Sequence, residues 1–242
     1  MKNWKTNSAC DLALATIVLV SLFWVSQQDG EKSNPALMDQ NIGSTSLSAT
    51  VRPTDFQTPP FNIATQSALA RELNGDVIFY ESNSRRRWPA ASLTKLMTAV
   101  IALEKLIPNK TVLDLFKIMI LVSSNEGADA LADLYGREKF IAAMNAKAKE
   151  LEMTQTGFFD ASGLSSLNQS TVSDLYKLAR YISVHHPEIF QVSREKEFII
   201  EGKKYTNINA LASRPDFLGG KTGYTDEANG NLISIFSSPK KP

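Results

Sequence analysis

Three short stretches of the 242-residue chain pair groups that can do chemistry together. In Pro89-Ala90-Ala91-Ser92-Leu93-Thr94-Lys95, a serine and a lysine stand three residues apart at the start of a helical pattern. Leu96, Ala99, Val100 and Leu103 recur on one face of that pattern. Residues i and i+3 of a helix share a face, so hydroxyl and amine come within hydrogen-bond reach. A serine is a weak nucleophile until a base takes its proton. A lysine serves as that base when burial or a neighbouring cation lowers its pKa. The helix start adds free N–H donors where negative charge would build up during acyl transfer.

Val122-Ser123-Ser124-Asn125 offers a hydroxyl and an amide two residues apart. Asn125 would equally serve as the N-cap of a helix beginning at Glu126. In Gly219-Gly220-Lys221-Thr222-Gly223-Tyr224-Thr225, a lysine and a threonine lie between glycines that let a ligand approach the backbone closely. Lys221 could hold a carboxylate and bias the pKa of another lysine, although an ordinary glycine-rich loop fits the same letters. Ser-x-x-Lys alone is a weak signal. It recurs at Ser193–Lys196, Ser237–Lys240 and Ser238–Lys241, and only the Ser92 instance opens an apolar helix.

Composition narrows the function classes. The chain is 43% hydrophobic with a formal net charge of +1, ordinary for a globular protein and unlike the basic face of a nucleic-acid binder. Arg85-Arg86-Arg87 is too short a run for phosphate tracking. The one cysteine, Cys10, excludes a disulfide within the chain and any cysteine-rich zinc site. His185 and His186 are adjacent and would point about 100° apart on a helix, a poor joint metal ligand and more in keeping with a surface pair. No metal and no cofactor are expected.

Lys2 and Lys5 precede an apolar run from Leu12 to Val25, the pattern of a secretory signal or a membrane anchor. With no A-x-A-like cleavage signal after it, residues 1–26 read as an anchor (the apolar part being 9–25) more readily than as a cleaved signal. The positive flank would stay inside and the remainder be exported. Residues 27–61, rich in Ser, Thr, Gln, Asn and Pro, read as a disordered linker. The folded head is expected over 62–238. It opens on a hairpin pattern, Ser67–Leu73 and Asp76–Tyr80, around Asn74-Gly75, whose letters suit a type I′ turn. Helices are expected at 112–122, 126–135, 138–151 and 171–184, the last from a capping-box-like Thr171-Val-Ser-Asp174. Strands are expected at 197–201 and 232–236. Strands, then helices, then strands indicate an α+β domain, a mostly antiparallel sheet packed against a helical lobe.

Taken together, Ser-x-x-Lys, Ser-x-Asn and Lys-Thr-Gly in this order are the signature set of penicillin-binding proteins and class A β-lactamases. The stretches PAASLTKLMTAVIALE, SSNEGADALA, FIAAMNAKAKELEMTQTGFFDASGL and GGKTGYTDEANGNL resemble the D-alanyl-D-alanine carboxypeptidases among the low-molecular-mass penicillin-binding proteins, from about Ser67 to Phe236. That resemblance implies a DD-peptidase fold. It makes Ser92 the acylated nucleophile and Lys95 its base, with Ser123 and Asn125 relaying protons and holding the substrate amide. Lys221 and Thr222, with Gly223 and Tyr224 beside them, would engage the substrate carboxylate. The N–H groups of Ser92 and Tyr224 would form the oxyanion hole. The implied substrate is a peptidoglycan pentapeptide, the implied inhibitors are β-lactams, and the implied location is extracytoplasmic.

Two departures from the family pattern stand out. Ser92 and Ser123 are 31 residues apart, a short interval, with the loss between Glu104 and Thr111. Only one strand is expected after Lys-Thr-Gly, where the family has at least one more, so the fold is expected to be truncated there with a raw sheet edge. These departures keep a second reading open, a binding module without turnover. A β-lactamase would also need a glutamate that activates the deacylating water, and no Glu-x-x-x-Asn-like element lies between Asn125 and Lys221.

Overall fold

A computed structural model of the chain describes residues 16–23, as backbone, and 65–237. One antiparallel sheet and a helical lobe make up the α+β architecture expected. The sheet contains β1 (Thr16–Phe23), β2 (Thr65–Glu72), β3 (Ile78–Ser82), β8 (Phe217–Thr225) and β9 (Asn229–Ser237), in the order β3-β2-β1-β9-β8. Between the strand groups lie α1 (Thr94–Lys105), α2 (Lys110–Leu121), α3 (Asn125–Tyr135), α4 (Arg137–Glu150), α5 (Val172–His185) and α6 (Pro187–Ser193). Short ladders join β4 (Trp88–Pro89) to β5 (Gln169–Ser170), and β6 (Glu197–Ile200) to β7 (Lys203–Thr206).

Helix α1 is the centre of the lobe. Leu96, Met97, Ala99, Val100, Ile101 and Ala102 are all buried, so it is apolar nearly all round, as a helix must be when neighbours cover every side. Leu131, Phe140, Met144, Leu175 and Leu178 join it in one core, and Leu69, Ile233 and Ile235 extend that core onto the sheet. Burying one such large side chain is worth about 1.5–3 kcal/mol, so the first turn of α1 is held from many directions at once. Side-chain caps start three helices: Asn109 accepts from the Val112 N–H on α2, Ser124 from Gly127 on α3, and Thr171 from Asp174 on α5.

The apolar run expected as signal or anchor is a strand over Thr16–Phe23 in this structure. It pairs antiparallel with β2 on one side, from Ile17 opposite Glu72, and with β9 on the other, from Thr16 opposite Ser237. Thr16, Ile17, Val18 and Val20 are β-branched, which suits a strand, and a short continuous apolar run fits a central strand as well as it fits a helix. The edge expected to be raw beside β9 is therefore paired. No described helix is long and apolar enough to cross a membrane. The linker expected at 27–61 lies outside the described residues.

Turn chemistry also departs from expectation. At Asn74-Gly75 the closing bond runs from the Glu72 N–H to the Val77 carbonyl at 3.0 Å, and neither Asn74 nor Gly75 has a positive φ. The cause is Leu73, only 3% exposed: its side chain belongs to the core and cannot extend a tight ladder. The two positive-φ turn residues occur instead at Glu201 (50°) and Gly202 (79°), joining β6 to β7, a strand the sequence reading missed.

Gly219 has φ 148°, and a Cβ there would stand 2.5 Å from the Phe190 Cβ of α6. Gly219→Ala is expected to push β8 off α6 at a cost of about 1–3 kcal/mol, lowering the melting temperature by at least about 2 °C. An unchanged melting temperature would show that the contact is slack.

Candidate active site

Ser92 lies in a single 3₁₀ turn, Ala91–Leu93, that leads directly into α1. Ala91 has φ +47°, a left-handed conformation rare for a residue with a side chain. Two glycines leave room around it. A Cβ on Gly163 would meet the Ala91 carbonyl oxygen at 1.9 Å, and one on Gly223 would stand 3.0 Å from the Ser92 nitrogen. The turn carrying the hydroxyl is thus wedged between the loop at 163 and strand β8. Asn231 Nδ2 donates to the Pro89 carbonyl at 2.8 Å and Trp88 Nε1 to the Ala228 carbonyl at 2.7 Å, tying the approach to Ser92 onto the β8–β9 end of the sheet.

Lys95, one turn on, is completely buried. Its Nζ lies 3.1 Å from Ser92 Oγ and 2.7 Å from Asn125 Oδ1, and it also donates to the Ser162 carbonyl. Burial lowers its pKa to about 8, against the opposing charges of Asp160, Asp129 and Glu126. The three partners differ in kind. A carbonyl and an amide oxygen only accept, whereas a serine hydroxyl also donates. A neutral Lys95 has two N–H groups and one lone pair. The two fixed acceptors take the N–H groups, leaving the lone pair for the Ser92 hydroxyl. The geometry therefore orients a base as well as burying one.

Asn125 does not cap α3, because Ser124 does: its Oγ accepts from the Gly127 N–H at 2.9 Å. Asn125 becomes the first helical residue and its amide is released toward Lys95. Ser123 has φ +59°, and its Oγ accepts from Lys221 Nζ at 2.8 Å. Lys221 also donates to the Thr222 carbonyl at 2.7 Å and is 2% exposed. Burial first, and the charge of Lys95 second, lower its pKa to about 7. One amine–hydroxyl pair thus sits on each side of the cleft. Thr222 is half-buried beside them, and Tyr224 at the strand end is 68% exposed. All eight sequence-predicted site residues are carried by this one region.

The sequence reading gave no role to the loop that supplies Ser162. Asp160 accepts from the backbone N–H groups of Gly163 (2.5 Å) and Ser165 (2.6 Å), folding the loop about its carboxylate. Asn168, fully buried, donates to Thr94 Oγ1 at 3.2 Å and to Asp160 Oδ1 at 3.0 Å, and accepts from the Phe159 N–H at 2.6 Å. These bonds fix the Ser162 carbonyl over Lys95. The available signal was Asp160-Ala-Ser-Gly163, an aspartate followed by a glycine at positive φ. Ser193, in one of the other Ser-x-x-Lys matches, is structural: its Oγ donates to the Phe190 carbonyl and accepts from the Gly220 N–H. His186 is not a free surface histidine, since its ring faces Glu104 at 3.4 Å.

Lys95→Arg keeps a charge but supplies no base, since arginine does not give up its proton. Acylation of Ser92 by a fluorescent penicillin is expected to fall at least about 100-fold, within the range of general-base contributions. With Lys95 as the base, the labelling rate of the unmodified chain should rise with pH and level off above about 8. A rate that is flat from pH 6 to 9, or an arginine variant that labels normally, would remove Lys95 from the role of base.

A family profile described as D-alanyl-D-alanine carboxypeptidase matches residues 106–238, more than half of the chain. The D-alanyl-D-alanine endopeptidase of Escherichia coli is 33% identical over 216 residues, covering 74% of this chain and 69% of that protein. The D-alanyl-D-alanine carboxypeptidase DacC of Escherichia coli is 36% identical over a shorter span, 51% of this chain and 32% of its own length. The crystal structure of a penicillin-binding protein of Listeria monocytogenes with cefotaxime bound superposes with a TM-score of 0.64 at 27% identity, covering 74% of this chain and 91% of that one. A half-buried serine hydrogen-bonded to a buried lysine, a facing Ser-x-Asn turn and a Lys-Thr-Gly strand brought together, with these matches, place the chain in the D-alanyl-D-alanine carboxypeptidase family of serine peptidases.

Proposed function

We propose that this chain removes the terminal D-alanine from peptidoglycan stem peptides through an acyl-enzyme on Ser92. The observation that carries the reading is the Lys95 amine held between two fixed acceptors and the Ser92 hydroxyl. Ser92 Oγ attacks the carbonyl of the D-Ala–D-Ala bond as its proton passes to Lys95 Nζ. The tetrahedral intermediate places its oxyanion at the N–H groups of Ser92 and Tyr224. Collapse breaks the C–N bond, and the proton held by Lys95 passes to the departing D-alanine amine. Water then attacks the ester, gives its proton to Lys95, and Ser92 is regenerated as the proton returns. Lys221 and Thr222 engage the substrate carboxylate, and Asn125 holds the acyl-side amide. A β-lactam acylates the same oxygen. Because its substrate is the cell wall, the protein acts outside the cytoplasm.

A second reading has a specific support: the Escherichia coli relative, similar over most of this chain, is named an endopeptidase. In that reading the leaving amine belongs to a cross-linked peptide rather than to free D-alanine, and the Ser92 chemistry is unchanged.

The test is incubation of the purified protein with a pentapeptide ending in D-Ala-D-Ala, and separately with a cross-linked stem-peptide dimer. Free D-alanine from the first is the expected result, and cleavage of the dimer alone transfers the assignment to the second reading. Ser92→Ala should abolish both reactions and penicillin labelling while leaving the melting temperature nearly unchanged, since only a hydroxyl is lost. Stable labelling with neither product would make the chain a binding module without turnover.

A further inference from the structure

The short segment that leaves β7 carries two asparagines, Asn207 and Asn209, to which the acyl-transfer chemistry assigns no role. Asn207 is half-buried and uses both ends of its amide. Its Nδ2 donates to the Ser193 carbonyl at 2.9 Å and to the Glu195 carbonyl at 2.8 Å, and its Oδ1 accepts from the Asn209 N–H at 2.8 Å. The Asn207 N–H donates to the Lys196 carbonyl at 2.9 Å, closing the base of the β6–β7 hairpin. Asn209 is buried, and its Oδ1 accepts from the Leu211 N–H at 3.0 Å, starting the 3₁₀ turn Ala210–Ser213. Between the two, the Ile208 N–H donates to the Leu121 carbonyl at 3.3 Å. Leu121 ends α2, and the last carbonyls of a helix have no partner within it, so this bond fixes where α2 stops.

These bonds reach both halves of the second amine–hydroxyl pair. Leu121 lies two residues before Ser123. Ser193, whose carbonyl Asn207 holds, accepts from the Gly220 N–H through its Oγ at 2.9 Å, and Gly220 precedes Lys221. The segment is therefore a strut between the α2–α3 turn and β8, and the contact it spans is Lys221 Nζ to Ser123 Oγ at 2.8 Å. Leu121, Ser193, Asn207, Asn209 and Lys221 surround a gap of about 170 Å3 that is too narrow to seat a water molecule. A lysine stem is long and flexible, so its amine stays at one point only when the backbones on both sides are held. The Ser92–Lys95 pair is held by other bonds, those of the loop around Asp160 and Asn168.

We propose that Asn207 is a positioning residue for the substrate carboxylate. By bonding the end of α6 and ordering the Ile208–Asn209 backbone against α2, it sets the separation of Ser123 and Lys221. That separation fixes the place where Lys221 and Thr222 meet the carboxylate. Asn207 touches neither the substrate nor the reacting atoms. The inference rests on the reading of Lys221 as the carboxylate's partner and adds the residue that holds it there. Alanine at 207 would leave two carbonyls and one N–H without their partner, and aspartate, of the same shape, would turn an acceptor toward both carbonyls.

The test uses a fluorescent penicillin with its carboxylate free, and the same compound as its methyl ester, and reads the ratio of the two labelling rates on one preparation. Any loss of folded protein cancels in that ratio. The unmodified chain should favour the carboxylate form about tenfold or more, the span of hydrogen bonds to charged groups. Asn207→Ala and Asn207→Asp should each cut the preference about threefold or more, through slower labelling by the carboxylate form. Ser193→Ala, which cuts the same strut at its β8 end, should shift the ratio the same way and decides the matter if the Asn207 variants do not fold. Asn145→Ala is the matched control. Asn145 also makes three bonds, to the Ile141 and Phe158 carbonyls and from the Phe158 N–H, and its loss should leave the ratio unchanged. A preference retained in the strut variants, or lost equally in Asn145→Ala, overturns the positioning role and leaves the Lys221 reading standing. Equal labelling by both forms in the unmodified chain overturns the Lys221 reading, and failure to label with either overturns the Ser92 reading; the inference falls with each.

Discussion

A lysine that works as a base must be kept dry, and the architecture of the lobe follows from that requirement. An ammonium taken out of water is costly unless paired, and the cheaper state is the neutral amine. Lys95 is fully buried, with Asn125, Ser162 and Ser92 around its nitrogen and, among the described residues, no carboxylate in direct contact. The burial needs a central helix covered on every side, which α1 is. The uncharged partners need two separate segments, the α2–α3 turn and the loop after Gly157, folded to the same point. Removing either acceptor would let the amine rotate its lone pair away from the hydroxyl.

Backbone strain is concentrated next to the reacting groups. Ala91, at φ +47°, precedes Ser92, and Ser123, at φ +59°, carries the hydroxyl that faces Lys221. Conformations of this kind cost of order 1–3 kcal/mol each and persist only where the surroundings over-determine them. The surroundings here are specific. Gly163 leaves room for the Ala91 carbonyl that no larger residue would leave, Gly223 packs closely on the Ser92 nitrogen, and Lys221 holds Ser123 by its hydroxyl. The site is rigid because several tight contacts converge on it, and that same convergence makes it intolerant of added atoms.

How much of this was legible in the sequence depended on whether the signal was local. Ser92 and Lys95 share a helix face, and spacing alone implied their contact. Helices α1 to α5 were legible from their apolar period to within a few residues, whereas the short α6 after Pro187 was not. Competing local signals were not resolved by letters: Ser124 and Asn125 are both good caps, and only the structure shows that Ser124 takes the role and frees Asn125. Asn74-Gly75 carries the stronger hairpin letters, yet the tight turn forms at Glu201-Gly202, because the burial of Leu73 overrides turn preference. The carbonyl of Ser162 was invisible for a different reason. A backbone acceptor has no letter, and its placement depends on Asp160 and Asn168, whose partners are distant in sequence.

The inserted strand at Thr16–Phe23 has a consequence for how such a chain could mature. Among the described residues it is the only link in the ladder between the β3–β2 pair and the β9–β8 pair. A protease trimming the polypeptide ahead of Thr65 would leave two half-sheets with facing, unsatisfied rows of amides and carbonyls. Residues that serve as the keystone of the sheet cannot at the same moment lie in lipid. Removal of the polypeptide ahead of Thr65 and integrity of the sheet therefore exclude one another at these eight residues.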